Sequence, residues 1–184
     1  IDCLAFTGSV ATGRKVGIAG ISRGARINLE MGGKDPFIVC GDLDSEAVRI
    51  AARGGAWAAY LNAGQVCTSS ERFYVMENVY DEYVSAFLEH TKSLVIGDPL
   101  DAKTDPGPMI SATQRGKALA QVEAAVDAGG VLLTGGDDAG FETGHYLSPC
   151  VLTGVPEDTD LMTEETFGPV APILPVSNLE EAIG

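Results

Sequence analysis

Several residue types are scarce in this chain of 184 residues, and each scarcity excludes a class of protein. Only 12 Lys and Arg stand against 26 Asp and Glu, so we expect neither a nucleic acid nor a membrane partner. No apolar run is long enough to cross a bilayer. The four cysteines form no CxxC pair, which argues against a metal site and favours a reducing, cytoplasmic compartment.

The two ends of the chain resemble the interior of a larger protein. The sequence opens with IDCLAFTGS, which has no Met and no signal peptide, and it closes with NLEEAIG, which reads as an unfinished helix. We therefore expect an internal fragment.

Apolar runs alternate with helical segments along the chain. Strands are predicted at Cys3–Phe6, Arg26–Glu30, Pro36–Val39, Arg72–Met76, Val131–Thr134, Tyr146–Val155 and Pro169–Val176. Helices are predicted at 9–20, from an Asp44 N-cap to about Asn62, at Val79–Leu94, at Thr113–Ala128 and from Leu179. This order predicts an α/β fold with a mostly parallel sheet.

The first chemical motif is a strand, a glycine turn and a helix start at Gly8-Ser9-Val10-Ala11-Thr12-Gly13. The free N–H groups of such a helix start can hold an anion. The motif is neither a Walker A sequence nor GxGxxG, so a plain tight turn is the alternative interpretation.

A second motif, Gly20-Ile21-Ser22-Arg23-Gly24, matches GxSxG. A nucleophile elbow requires a strand before the serine and a helix after it, whereas the predicted order here is reversed. A serine hydrolase that uses Ser22, with His90 or His145 as the base, is kept as an alternative function.

Two further residues are candidates for catalysis. Cys67 lies in a polar loop and is either a reactive or an inert thiol, whereas Cys3 and Cys40 lie in apolar strands and are predicted to be core residues. Glu30 ends an apolar strand; it is a candidate general base if it is desolvated, and otherwise a carboxylate that reaches solvent.

A last motif places Glu165 two residues before Phe167. The carboxylate can accept hydrogen bonds from a ribose while the ring packs beside it. The alternative is an acidic turn with one buried Phe.

In this order, four motifs together resemble the aldehyde dehydrogenase superfamily. They are Phe6-Thr7-Gly8-Ser9, Leu29-Glu30-Met31-Gly32-Gly33-Lys34, Gly64-Gln65-Val66-Cys67 and Glu165-Thr166-Phe167-Gly168-Pro169-Val170. The resemblance covers essentially the whole chain colinearly, although a typical member is more than twice as long. Relative to many members, the connection from Glu30 to Cys67 is a few residues longer.

The resemblance implies oxidation of a small-molecule aldehyde to the acid with NAD or NADP. Cys67 would be the nucleophile and Glu30 the general base that activates the hydrolytic water. Retention of Glu30 favours hydrolysis over transfer of the acyl group to CoA.

The resemblance also implies a cofactor site. Gly8 and Ser9 would meet the pyrophosphate, and Gly13 would keep the helix close to it. Glu165 would hold the nicotinamide ribose, with Phe167 packed beside it.

The implied architecture consists of Rossmann-like layers. Residues 1–31 would be the C-terminal part of the NAD(P)-binding domain, and residues 32–184 a catalytic domain truncated at its C-terminus. The oxyanion-hole Asn and the adenine-ribose contacts would lie outside this segment, so the fragment alone is expected to be inactive. The full-length protein would be a homodimer or homotetramer; a non-catalytic structural or binding relative is the remaining alternative.

Overall fold

The computed structural model describes residues 1–184, which form two compact units, Ile1–Gly33 and Lys34–Gly184. The boundary falls two residues after the predicted one at 31. The assignment of these units to a cofactor-binding and a catalytic domain stays a prediction. None of the helices is long and apolar enough to cross a membrane.

The first unit is a single β-α-β unit. Strand β1 (Cys3–Gly8) leads into helix α1 (Val10–Ile21), and β2 (Arg26–Met31) returns parallel to β1. The register pairs Thr7 with Glu30 and Gly8 with Met31. The carboxyl ends of both strands therefore lie side by side.

Helix α1 packs on this strand pair through a row of glycines at helical spacing. Gly13, Gly17 and Gly20 are buried in α1, and a Cβ on any of them would press on side chains of β1 or β2. A Cβ on Gly20, for example, would stand 2.8 Å from Leu4. The helix predicted at 9–20 runs one residue further, to Ile21, and Gly20 is a packing position within it.

The second unit is built on a five-stranded mixed sheet in the order β3-β4-β7-β6-β5. All neighbouring strands are parallel except β5 and β6, which are antiparallel. Its elements are β3 (Asp35–Val39), α2 (Ser45–Tyr60), a 3₁₀ turn (Leu61–Gly64), β4 (Ser70–Met76), α3 (Glu77–Ser93), α4 (Ala112–Asp127), β5 (Val131–Thr134), β6 (Cys150–Thr153), α5 (Asp160–Thr163), β7 (Val170–Val176) and α6 (Leu179–Ile183).

The sheet separates two hydrophobic cores because successive strand residues point to opposite faces. Phe73 of β4 packs with Tyr83 and Phe87 of α3, in a core that also includes α2. The next residue, Tyr74, belongs to the other core, which includes α4 and α5. Both faces are thus covered by helices, as expected for an α/β layer.

Three sequence-based expectations were wrong. Cys3 and Cys40 are exposed and not part of a core. Alternation in β1 gives Leu4 the more buried position and turns Cys3 outward, and Cys40 lies just beyond the end of β3, after the buried Val39. The strand predicted at Tyr146–Val155 is limited to Cys150–Thr153. The preceding backbone bonds to loops and side chains instead: the Tyr146 carbonyl, for example, accepts from Arg115.

Candidate active site

Cys67 lies in an exposed turn between the end of α2 and the start of β4. After the helix ends, Asn62, Ala63 and Gly64 all have left-handed backbone conformations, with φ of 54°, 57° and 70°. This run redirects the chain, and a tight turn follows in which the Ser69 N–H donates to the Val66 carbonyl at 3.0 Å. The thiol is therefore carried on a short, well-defined turn.

The Gln65 side chain braces that turn. Its Nε2 donates to the Asn62 carbonyl at 3.0 Å, and its Oε1 accepts from the Ile110 N–H at 2.8 Å. On the far side of Cys67, the buried Ser69 hydroxyl donates to the Ala58 carbonyl in α2 at 3.0 Å. Hydrogen bonds on both sides thus hold the segment that presents Cys67.

A close backbone contact joins this loop to the Glu165–Pro169 segment. A Cβ on Gly64 would collide with the Gly168 carbonyl. Gly64 also has a φ of 70°, which disfavours any other residue. The fold therefore brings the loop that carries Cys67 against the segment that carries Glu165 and Phe167.

Glu165 is half-buried, and its carboxylate makes no hydrogen bond within the chain, whereas the neighbouring Glu164 is exposed. Burial raises the pKa of Glu165, and the nearby Glu71 carboxylate raises it further. Lys117 Nζ donates to the Glu165 backbone carbonyl. A carboxylate with unused acceptors suits the hydroxyl groups of a ribose.

The backbone beyond Glu165 is held by Glu71, which sequence reasoning missed. Glu71 is only 2% exposed, and its carboxylate accepts from the N–H groups of Thr166 at 2.8 Å and Phe167 at 2.9 Å. It also pairs with Lys34 at 2.7 Å. Burial lowers the pKa of Lys34, and the Glu71 charge opposes that effect.

A sequence signal for Glu71 did exist. In β4, alternation places Glu71 on the same side as the fully buried Phe73 and Val75. An acid in that register requires a buried partner. The identity of that partner, 37 residues away, has no local signal.

Gln114 in α4 completes the contacts of this segment, and it too was missed. Its Nε2 donates to the carbonyls of Thr166 at 3.0 Å and Phe167 at 3.1 Å. Phe167 is half-buried and has a left-handed backbone, with φ of 52°. Conformations of this kind persist only where surrounding contacts enforce them, and they concentrate at functional sites.

In the first unit, Gly8, Ser9 and Gly13 form the start of α1. Ser9 is the N-cap, and its hydroxyl accepts from the Thr12 N–H at 3.4 Å. The first turn contains no acidic residue, and Ser9 is exposed. A helix start with free N–H groups and no acid is compatible with a pyrophosphate. Gly13 also packs directly against Met31, so α1 lies close to β2.

Glu30 lies at the carboxyl end of β2, beside the end of β1 that carries Gly8. Its side chain is exposed. Of its two sequence interpretations, the structure therefore shows the carboxylate that reaches solvent. Its role as general base stays a prediction.

The GxSxG match does not have the structure of a nucleophile elbow. Ser22 is the C-cap of α1, and its hydroxyl donates to the Ile18 carbonyl at 2.7 Å. Helix α1 precedes it and β2 follows, the reverse of the required strand, turn and helix. Ser22 has the geometry of a helix end.

Comparison with known proteins places the chain in a family. The model of the aldehyde dehydrogenase family matches residues 1–184. Mouse retinaldehyde dehydrogenase 3 is 42% identical over 185 residues, covering 100% of this chain and 35% of that protein. The chain thus spans about a third of the length of such relatives.

Solved structures agree with this assignment. The NAD-dependent aldehyde dehydrogenase of Sinorhizobium meliloti is 39% identical with a TM-score of 0.95, covering 100% of this chain and 36% of that one. A 3,6-anhydro-L-galactose dehydrogenase in complex with NADP is 36% identical with a TM-score of 0.93, covering 99% of this chain and 38% of that one. The chain belongs to the aldehyde dehydrogenase family.

Proposed function

We propose that the full-length protein oxidises an aldehyde to a carboxylic acid with NAD or NADP, with Cys67 as the nucleophile. The observation that carries this proposal is the contact between Gly64 and Gly168. It places the loop of an exposed cysteine against a segment with a free, half-buried carboxylate. The family assignment supports the same reaction.

The residues of this chain supply the covalent steps. The Cys67 thiolate adds to the aldehyde carbon to give a thiohemiacetal, and loss of hydride from that carbon leaves a thioester on Cys67. Glu30 takes a proton from water, which attacks the thioester and releases the acid and the thiol. The overall balance is aldehyde, NAD(P)⁺ and water to acid, NAD(P)H and a proton. The Cys67 backbone N–H is one candidate donor to the oxyanion.

Three features of the chain suit the cofactor. The start of α1 at Ser9 suits the pyrophosphate, and the Glu165 carboxylate suits the nicotinamide ribose. Phe167 follows two residues later and is half-buried. When bound, NAD or NADP supplies the hydride acceptor.

Assembly and compartment are also proposals. We propose a cytoplasmic homodimer or homotetramer for the full-length protein. Trp57 in α2 is 64% exposed and Leu61 is 44% exposed, which supports burial of this surface in a larger assembly. Light scattering of the full-length protein would measure the number of subunits.

The central experiment uses the full-length protein with Cys67→Ala and, as its matched control, Cys40→Ala. Both thiols are exposed, but only Cys67 lies on the braced turn. We expect Cys67→Ala to abolish both aldehyde-dependent NAD(P)H formation and ester hydrolysis, and Cys40→Ala to retain both. Turnover by Cys67→Ala at the wild-type rate would refute the proposal.

A further inference from the structure

The Glu71 carboxylate binds three groups from two distant parts of the chain. One oxygen, Oε1, accepts from the Phe167 N–H, and the other, Oε2, accepts from the Thr166 N–H and from Lys34 Nζ. Lys34 Nζ also donates to the Thr166 hydroxyl at 2.7 Å. Glu71 thus joins the first residue of the second unit to the segment that follows Glu165.

These bonds hold a segment whose backbone conformation is unfavourable. Phe167 adopts a φ of 52°, which a residue with a Cβ and an aromatic ring rarely occupies. Its N–H and that of Thr166 point to the same carboxylate, and the two carbonyls share Gln114 Nε2. The N–H and carbonyl groups of two consecutive residues are therefore all bound by side chains.

Because the backbone of Thr166 and Phe167 is fixed, the directions of the Glu165 and Phe167 side chains are fixed too. Glu165 immediately precedes Thr166, the first residue whose N–H is bound by Glu71. The Phe167 N–H is bound by the same carboxylate. A carboxylate on a rigid strand is well suited to hold such a segment, because β4 lies inside the sheet between β3 and β7.

We infer that Glu71 is a positioning residue for the nicotinamide ribose, acting through the backbone of Thr166 and Phe167. The inference rests on the proposed function, in which Glu165 and Phe167 contact that ribose. Both oxygens of the buried Glu71 carboxylate are already bound within the chain, so in this role it acts through the backbone and not by direct contact with the cofactor. Its removal should therefore misplace the reacting atoms without removing the nucleophile at Cys67.

A purely structural role is the competing explanation, since Glu71 also neutralises the buried Lys34. Two variants separate the roles. Glu71→Asp keeps the charge but is one methylene too short to serve both amides and Lys34. The double variant Glu71→Gln with Lys34→Met removes both charges, so that no unpaired charge is buried. Its Gln amide has a single acceptor oxygen, so it can serve only one of the two N–H groups.

The experiment compares these variants in the full-length protein by the rate of the NADH burst, by equilibrium binding of NAD and NADP, and by ester hydrolysis at Cys67. The expected result for both variants is a burst slowed by about 10- to 100-fold, weaker binding of the cofactor, and ester hydrolysis within about twofold of wild type. Hydrogen exchange at the amides of Thr166 and Phe167 should also accelerate. Glu82→Gln is the matched control, because Glu82 makes only exposed contacts, an ion pair with Arg49 and a hydrogen bond from the Ser45 hydroxyl.

Each outcome separates this inference from the proposed function. Equal losses of burst and ester hydrolysis in both variants would overturn the inference and assign Glu71 a structural role. A slow burst in Glu165→Gln with a normal burst in both Glu71 variants would overturn it as well, while the ribose contact would survive. A normal burst in Glu165→Gln would instead refute the ribose contact itself.

Discussion

Gly64 and Gly168 meet so closely that no side chain fits between them, and this contact joins the Cys67 loop to the Glu165–Pro169 segment. Gly64→Ala should therefore displace the loop as well as strain its backbone at φ of 70°. We expect a loss of stability of about 1–3 kcal/mol from the backbone alone. The rate of ester hydrolysis at Cys67 should also fall. The two measurements are the thermal unfolding midpoint and the rate of ester hydrolysis.

The matched control for that substitution is Gly54→Ala. Gly54 lies in α2, is exposed, and has open space where a Cβ would be. Alanine there should stabilise the protein by about 0.5–1 kcal/mol and leave ester hydrolysis unchanged. If Gly64→Ala were as stable and active as Gly54→Ala, the contact would have no role in placing the nucleophile.

The second prediction concerns the four thiols. Cys150 is buried, and burial raises its pKa to about 12, so we expect it to react with iodoacetamide only after unfolding. Of the three exposed thiols, Cys67 should react fastest in the full-length protein, since the proposed reaction requires it to be the nucleophile. Peptide mapping after limited labelling gives the order.

An aldehyde substrate provides the specificity check on that labelling. It should protect Cys67 and leave the labelling of Cys3 and Cys40 unchanged. Faster labelling of Cys3 or Cys40 than of Cys67 would show that the nucleophile has been assigned incorrectly.

The third prediction is that Glu30→Gln slows hydrolysis of the thioester more than hydride transfer. An amide cannot accept the proton from water, whereas the earlier addition of Cys67 does not need this carboxylate. A rapid NADH burst with a slow steady state is expected in the full-length protein. The exposed Glu89→Gln on α3 is the control for loss of one negative charge.

Equal losses of burst and steady state in Glu30→Gln would change its assignment. Glu30 would then act before the thioester forms, for instance in activating the thiol.

The fourth prediction contrasts Glu165 with Glu164. If Glu165 holds the ribose, Glu165→Gln should slow the NADH burst by about 100-fold and leave ester hydrolysis largely intact. Glu164 is exposed and extended, so its side chain points away from that of Glu165, and Glu164→Gln should be nearly silent. The reverse result would show that the ribose contact is assigned one residue out of register.

The pKa of Glu165 adds a pH test. Burial and the Glu71 carboxylate raise it, so the ionised form that accepts ribose hydrogen bonds is lost at a higher pH than for an ordinary Glu. Affinity for NAD or NADP should therefore fall as the pH falls through that raised pKa. In Glu165→Gln, equilibrium binding measured over a series of pH values should no longer show this fall in affinity.

The sequence by itself determined the local structure of this protein. The Asp44 side chain caps α2 as predicted and accepts from the Ala47 N–H. An N-cap carboxylate bonds to a backbone N–H two or three residues later, so this contact depends only on the local sequence. The alternation of strands and helices likewise predicted the α/β layers, since periodicity is a property of a short segment. The motif order predicted the family, which the comparison confirmed.

Only the tertiary structure decided which residues hold the candidate site together. Glu71 and Thr166 are 95 residues apart, and Gln114 and Thr166 are 52 residues apart. Contacts over such separations produce no local pattern in the sequence that could predict them. Exposure was also decided at this level: Cys3 and Cys40 occupy apolar stretches, yet Cys3 lies on the more exposed face of β1 and Cys40 lies just beyond the end of β3. Burial depends on what the fold places over a residue, and the neighbours of that residue along the chain do not specify it.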